Sequence, residues 1–258
     1  MKISACIITF NEEKNISRAI NSVKWADEIV VVDSESTDST RQIAAQLGAK
    51  VIKQKWLGFA LQKQLAVNLA ENDWIFSLDA DEEVSEELKN EILRLKTEEN
   101  LADAYKIPRL PIYMNRKILH GGWYPDWQIR LFNRKKGRWR EVLIHESVQM
   151  DSDARVSKLK GEIFHYSVEN FSHHNQMIAE RYAPLAARQM FEEGKRTSFL
   201  KIVFSGCFAF IRSYFLKLGF LDGFPGFCIA YFAAHHATMK HLLLWEIQNG
   251  LYGRDSSK

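Results

Sequence analysis

Two aspartates one residue apart open an acidic run, Asp79-Ala80-Asp81-Glu82-Glu83, directly after the mostly apolar stretch Trp74 to Leu78. Carboxylates at this spacing can reach one hard cation, and Mg²⁺ or Mn²⁺ accept such oxygen ligands. Mg²⁺ is usually held by one or two carboxylates plus substrate phosphates, so a D-x-D pair without a His/Cys cage points to a nucleotide-diphosphate ligand. Alone, the run reads first as a solvated loop whose acids lie near the positive end of the next helix. That role is expected of Glu82 and Glu83 even where Asp79 and Asp81 bind metal.

Other residues share the pattern. Asp33 ends a Val-Val-Val run and is followed by Ser34, Ser36, Thr37 and Asp38. A carboxylate there can accept from the N3–H of uracil or from ribose hydroxyls, and the hydroxyl residues can cap a helix. Thr9, Asn11 and Glu12 close the first apolar run of the chain.

The elements that must position these groups follow from periodicity. Residues 3–9, 28–33, 50–54 and 74–78 are short apolar runs. Between and after them lie stretches with apolar residues at helical spacing: Ile16, Ile20 and Val23; then residues 37–48, stopped by Gly48; Leu61, Leu65 and Leu69; and Leu88, Ile92 and Leu95 behind a Ser85 cap. This βαβαβαβα alternation predicts an α/β fold with a mostly parallel sheet covered by helices on both faces. Ligands in such sheets bind beyond the carboxyl ends of the strands. Three polar clusters fall on that edge. Neither G-x-G-x-x-G nor G-x-x-x-x-G-K-[ST] is present, which argues against a nicotinamide enzyme and a P-loop NTPase.

Residues 101–168 read as strands separated by turns, and the chain becomes helical after about residue 169. At 258 residues, 46% hydrophobic and 26% charged, the chain suits one large domain or a domain with an appendage. A net charge of +3 is too mild to imply nucleic acid. Cys6, Cys207 and Cys228 form neither a disulfide framework nor a zinc pattern, and the N-terminus reads as a strand rather than a signal peptide, so a cytoplasmic protein is expected. The most apolar region, residues 199–244, is interrupted by Lys201, Arg212, Lys217, Asp222, Gly223, Pro225, Gly226 and Lys240, and no clean membrane-spanning helix is expected there.

The ordered set "CIITFNEE", "EIVVVDSESTDST", "WIFSLDADEE" and "GGWYPDWQIRLFNR…VLIHES" resembles the family 2 glycosyltransferases of the GT-A fold, and within them bacterial enzymes that add glucose to the inner-core heptose of lipopolysaccharide. The resemblance covers residues 1–168 strongly and the tail loosely. It implies a GT-A domain at 1–168, with a nucleotide-sugar half at 1–100 and an acceptor half at 101–168, and a helical region at 169–258. It implies a UDP-sugar donor, a divalent metal (Mg²⁺ or Mn²⁺) and inversion at the anomeric carbon. Thr9, Asn11, Glu12, Asp33 and Asp79 match donor positions, and Asp79 and Asp81 match the D-x-D. Lys63 matches a basic position facing the nucleotide, although "QKQ" stands where the family usually has Arg-Asn.

Inverting transfer needs a base on the acceptor side. Glu146 and Asp126 are the candidates, and family position favours Glu146; Arg130 or Arg140 are its expected partners if it is merely structural. Trp123, Tyr124 and Trp127 suit stacking on an acceptor sugar, Arg130 and Arg134 suit phosphates or a basic surface, and His165 suits either the metal shell or the core. The Phe-rich tail with interspersed Lys and Arg reads either as a helical hairpin that covers the sheet or forms a homodimer, or as an amphipathic surface on the anionic inner face of a bacterial membrane. A nucleotidyltransferase and an inactive membrane scaffold are the competing readings of the whole chain.

Overall fold

A computed structural model describes residues 1–140, 146–168 and 170–251. The chain forms two compact units, one of residues 1–110 and 125–167, the other of residues 111–124 and 168–258.

The first unit begins with the expected alternation: β1 (Ile3–Thr9), α1 (Ile16–Ser22), β2 (Glu28–Asp33), α2 (Thr40–Gln46), β3 (Lys50–Lys53), α3 (Phe59–Leu69) and β4 (Trp74–Asp79). A short β5 (Glu82–Val84) and α4 (Glu86–Leu95) follow, then β6 (Ala104–Tyr113), whose last three residues belong to the second unit together with β7 (Arg116–Lys117), and then β8 (Asp126–Asn133), β9 (Gly137–Trp139), β10 (Val148–Met150), β11 (Val156–Lys158) and β12 (Ile163–Val168). The main sheet runs β3-β2-β1-β4-β8-β6-β12-β5, with β9 and β10 forming a separate ribbon. The pairs β3–β2, β2–β1 and β1–β4 are parallel, while β8 is antiparallel to β4 and to β6. Every residue of β1 is buried, as a central strand covered on both faces requires. Ile3, Ala5 and Ile7 pack with α1, α2 and α4, whereas Cys6, Val30 and Val32 pack with Ala66 and Val67 of α3.

The register fixes the site. Thr9 stands opposite Asp33 and Ile8 opposite Asp79, so β1, β2 and β4 end level with one another.

Helix α4 starts where the sequence places its cap: Leu88 N–H donates to Ser85 Oγ at 3.2 Å. Glu86 and Glu87 occupy its first turn, where the helix dipole favours acids. The expectation that Glu82 and Glu83 begin this helix is corrected. They form β5, paired antiparallel with β12, and strand alternation sends Glu82 inward and Glu83 outward. The turn at Gly161 closes against the same helix, because a Cβ there would lie 2.3 Å from Leu88 Cα. Gly161→Ala is therefore expected to destabilise the protein by about 1–3 kcal/mol, read as a lower urea midpoint at unchanged slope.

The second unit holds α5 (Phe171–Gln176), a π-helical stretch (Met177–Tyr182), α6 (Ala183–Glu192), α7 (Phe199–Ile211) prolonged by a π-helical turn (Arg212–Leu216), a 3₁₀ turn (Gly219–Asp222) and α8 (Gly223–Gln248). Asn170 and Ser198 cap α5 and α7 by accepting from His173 and Lys201 N–H groups. The Gly223-Phe-Pro-Gly226 sequence reads as a break, yet it opens the longest helix. Pro225 falls in the first turn, where its missing N–H is harmless. Gly226 lets the backbone pass Gly219, whose carbonyl oxygen would be 1.8 Å from a Cβ. The sequence leads to no clean membrane-spanning helix in this region, yet the basic residues and the Gly-Phe-Pro-Gly segment do not break the helix that forms here. Phe199–Leu216 is one continuous helix of 18 residues, long and apolar enough to cross a membrane by length and composition, with 11% of it buried. Lys201 lies in its first turn, and Asp222, Gly223 and Pro225 lie beyond its end, so only Arg212 interrupts it.

Candidate active site

The level ends of β1, β2 and β4 bring together groups from five elements. Lys63, on the buried face of α3, places its Nζ 2.9 Å from Asp79 Oδ1 and 3.3 Å from Glu146 Oε1. It also lies 4.8 Å from the centre of the Trp139 ring. Arg130 on β8 donates through Nη2 to the other Asp79 oxygen at 3.1 Å and to Glu82 Oε1 at 2.7 Å. Burial pushes the Asp79 carboxyl up, but the Lys63 and Arg130 cations outweigh it and hold Asp79 far below the usual carboxylate range. Arg130 shows the reciprocal effect: burial works against its charge, and Glu82 with Asp79 raises it nonetheless.

Glu82, on which sequence reasoning placed no site role, is fully buried. One carboxylate oxygen accepts from Arg130 and from Arg109 Nη1 at 3.4 Å, and the other accepts from the Asp79 backbone N–H at 2.9 Å. It thus fixes both the backbone and the side-chain partner of Asp79. Arg109 in turn donates from Nε and Nη2 to Asp126 Oδ2 at 2.9 and 2.6 Å. Burial raises the Asp126 carboxyl, and Arg109 with the Gln128 amide brings it below its ordinary value. The signal for this clamp is present in the sequence: Arg109 interrupts a buried apolar strand and Glu82 is the inward position of β5, but its recognition requires the strand assignment.

Asp81 has partners different from those of Asp79. Its Oδ2 lies 3.2 Å from His165 Nε2, and its backbone carbonyl accepts from Tyr166 N–H. Tyr166 donates its hydroxyl to Glu83, and burial together with that carboxylate pushes the phenol up to about 12. Among the described residues no group of three or more His, Cys, Asp or Glu side chains converges as a metal cage.

The donor-side residues form one loop system. Asn11, at φ +52°, accepts through Oδ1 from Thr37 N–H at 2.8 Å, and its own N–H donates to Ser36 Oγ. Glu12 N–H donates to Thr40 Oγ1, and its carboxylate accepts from Asn15. Asp33 is fully buried and accepts from both Ser36 N–H and Ser36 Oγ, with Arg41 Nε 3.4 Å away. It therefore tightens the β2–α2 loop in this structure. Thr9 Oγ1 and Gln62 Oε1 are buried without a hydrogen-bond partner among the described residues. Both belong to residues bonded to Ser34, whose N–H donates to Thr9 O and whose Oγ accepts from Gln62. Buried oxygens of this kind are uncommon and mark places where a ligand can donate. Gln62 was not anticipated; a polar residue on the inward face of α3 is its only sequence signal.

Trp127 on β8 is exposed, with Lys158 Nζ 4.5 Å from its ring centre. Trp123 and Tyr124 belong to the second unit, where Trp123 packs edge-on against Tyr113 and His174. Arg134 is half-buried: its Nη1 donates to the Val67 and Ala70 carbonyls at the end of α3, and its Nε lies 3.7 Å from Asp73 Oδ1. Residues 142–145 of the "VLIHES" motif, His145 among them, lie outside the described residues.

Comparison with known proteins places this arrangement. The profile of the family described as glycosyl transferase family 2 matches residues 4–158, which include Lys63, Asp79, Asp81, Asp126 and Glu146 but not His165. An uncharacterised glycosyltransferase of Rickettsia typhi is 37% identical over 238 residues, 88% of this chain and 80% of that one. The lipopolysaccharide core biosynthesis glycosyltransferase LpsC of Rhizobium meliloti is 28% identical over 262 residues, 94% of each chain. Among solved structures, S. aureus TarS 1–349 in complex with UDP-GlcNAc aligns over 98% of this chain and 93% of its own at 16% identity, with a TM-score of 0.49. Of the readings left open by the sequence, the profile and the relatives select sugar transfer over nucleotidyl transfer and over an inactive scaffold. The chain belongs to glycosyltransferase family 2, and it is a transferase enzyme with an α/β domain of the GT-A class and a helical C-terminal region.

Proposed function

We propose that the chain is an inverting, metal-dependent transferase that moves a hexose, glucose first, from a UDP-sugar to an inner-core heptose of lipopolysaccharide or a similar glycan. It would work on the cytoplasmic side, peripheral to the bacterial inner membrane. The observation that carries the reading is the meeting at one sheet edge of Lys63 with Asp79 and Glu146, beside the Asp81–His165 pair. The name of the Rhizobium relative supports the acceptor class.

The residues fit a divalent cation held mainly by its substrate. Asp81 and His165 offer one oxygen and one nitrogen close enough to share an ion, and the imidazole tilts the pair toward Mn²⁺. Asp79 already faces two cations, so its role is to seat Lys63 and Arg130 and to meet the donor ribose. The bound cation would supply Lewis-acid stabilisation of the departing diphosphate. The unpartnered oxygens of Thr9 and Gln62 accept from the nucleoside, with Asn11, Glu12 and Asp33 holding the loops around it. Glu146 takes the proton of the attacking hydroxyl, oriented by Lys63. Trp127 offers its face to the acceptor ring.

Calorimetry with UDP-glucose, UDP-galactose and GDP-mannose, with and without Mn²⁺, tests the reading. A UDP-sugar should bind more tightly with metal, and Asp81→Asn should remove that increment while leaving metal-free UDP binding intact. The absence of metal-dependent binding for every donor would refute it.

A further inference from the structure

We infer that α7 and the turn after it form an in-plane docking face for an anionic lipid surface. The apolar side of α7 points outward. Leu200, Phe204, Phe208, Ile211 and Phe215 recur at three- and four-residue intervals and are all exposed, Phe204 at 62% and Phe208 at 63%. Phe220, Leu221 and Phe224 extend the patch through the turn into α8. The inward side carries the small and polar residues that a water-facing helix would show to solvent. Ser205 Oγ donates to the Ala237 carbonyl, Ser213 is buried, and at Gly206 a Cβ would lie 2.4 Å from Thr238 Oγ1. Close helix approach through small residues with apolar side chains directed outward is how helices pack where the surroundings are lipid. A contiguous exposed apolar surface of this kind marks an interaction site.

Charge selects the occupant. From residue 199 to residue 240, the span that carries the patch, the chain has four basic residues, Lys201, Arg212, Lys217 and Lys240, and a single acid, Asp222. Asp222 is turned inward, accepting from the Leu119 and His120 N–H groups and facing His120 Nδ1 at 2.9 Å. Lys201, Arg212 and Lys217 are exposed beside the phenylalanines. A second copy of this chain would bring like charge against like, whereas an anionic bilayer attracts each such residue near its surface. The face lies on the membrane rather than crossing it. The opposite flank of α8 is packed with protein, Cys228 and Ile229 against Tyr113 and Ile118, and Phe232 against Ile178 and Ala183. Only one side of the α7–α8 pair is free for lipid, as in amphipathic helices that bury their apolar side at the headgroup boundary.

The inference deepens the peripheral placement proposed above, and its test needs neither donor nor acceptor, so the two readings fail separately. Cys207 lies exposed on α7, while Cys6 and Cys228 are buried, so the thiol accepts an environment-sensitive fluorophore on the unmodified full chain. Flotation with phosphatidylglycerol/phosphatidylethanolamine vesicles should carry the protein upward, and phosphatidylcholine vesicles should not. The label should shift to the blue and be quenched by shallow rather than deep nitroxide lipids. Phe204→Asp with Phe208→Asp should lower partitioning by about a hundredfold or more. Lys201→Glu with Arg212→Glu should lower it about tenfold or more. An unchanged circular dichroism spectrum and urea midpoint would show that both variants are folded. Failure to float on anionic vesicles, or equal flotation on neutral ones, overturns the inference. So does concentration-dependent self-association that buries the label without lipid, which would assign the face to a second copy.

Discussion

Glu82→Gln is expected to remove about 3–5 kcal/mol of folding stability, the usual consequence of breaking a buried ion pair from one side. Glu82 accepts on both carboxylate oxygens, from Arg130 and Arg109 on one and from the Asp79 N–H on the other. A glutamine of the same shape must turn its NH₂ toward one of these donors in either orientation, and two guanidinium groups lose their shared counter-charge. Guanidinium denaturation gives the measurement. Glu83→Gln is the control: one residue on, its carboxylate points outward to the Tyr166 hydroxyl, and the loss should stay within about 1 kcal/mol. Equal, small effects at both positions would mean that the clamp under Asp79 contributes little. Because Glu82 also holds the Asp79 backbone, the variant should bind UDP-sugar more weakly even below its unfolding transition.

Glu146→Gln is expected to lower kcat by about 10²–10⁴-fold, the range for loss of a general base, with donor affinity little changed. Asp126→Asn should act differently. Arg109 grips Asp126 with two N–H groups and holds its carboxyl below the ordinary value, which makes it a poor proton acceptor near neutral pH. Its replacement should loosen the Arg109–Glu82–Arg130 chain and reduce stability more than turnover. Steady-state kinetics beside denaturation curves separates the two. If Asp126→Asn costs as much turnover as Glu146→Gln at unchanged stability, the roles are reversed.

The strand-end cluster was legible because parallel βα units obey strong rules. Apolar runs of the right length, separated by helical spacing, place Thr9, Asp33 and Asp79 on one edge, and the register confirms that alignment. The Ser85 cap was legible for the same local reason. Glu82 and Arg109 were not, because their partnership joins β5 and β6 across a largely antiparallel half of the sheet. No local pattern encodes that pairing. Lys63 was identified as a basic residue near the donor, but its bridge to Glu146 spans residues far apart in sequence and emerges only in three dimensions. The tail failed to read cleanly for a different reason. Helical periodicity says that one side of α7 is apolar but not whether that side faces protein. Gly223 and Pro225 look like interruptions until Pro225 is seen to occupy a first turn.

The level ending of β1, β2 and β4 makes hydrogen-bond register the ruler of this site. Side chains alternate along a strand, so a one-residue insertion inside β4 would exchange Leu78 with Asp79 and point the carboxylate at the opposite layer of helices. Lys63 and Arg130 would then face hydrocarbon. Loops tolerate changes in length and these strands do not, so the chemistry here is calibrated in the interior of the sheet rather than at its rim.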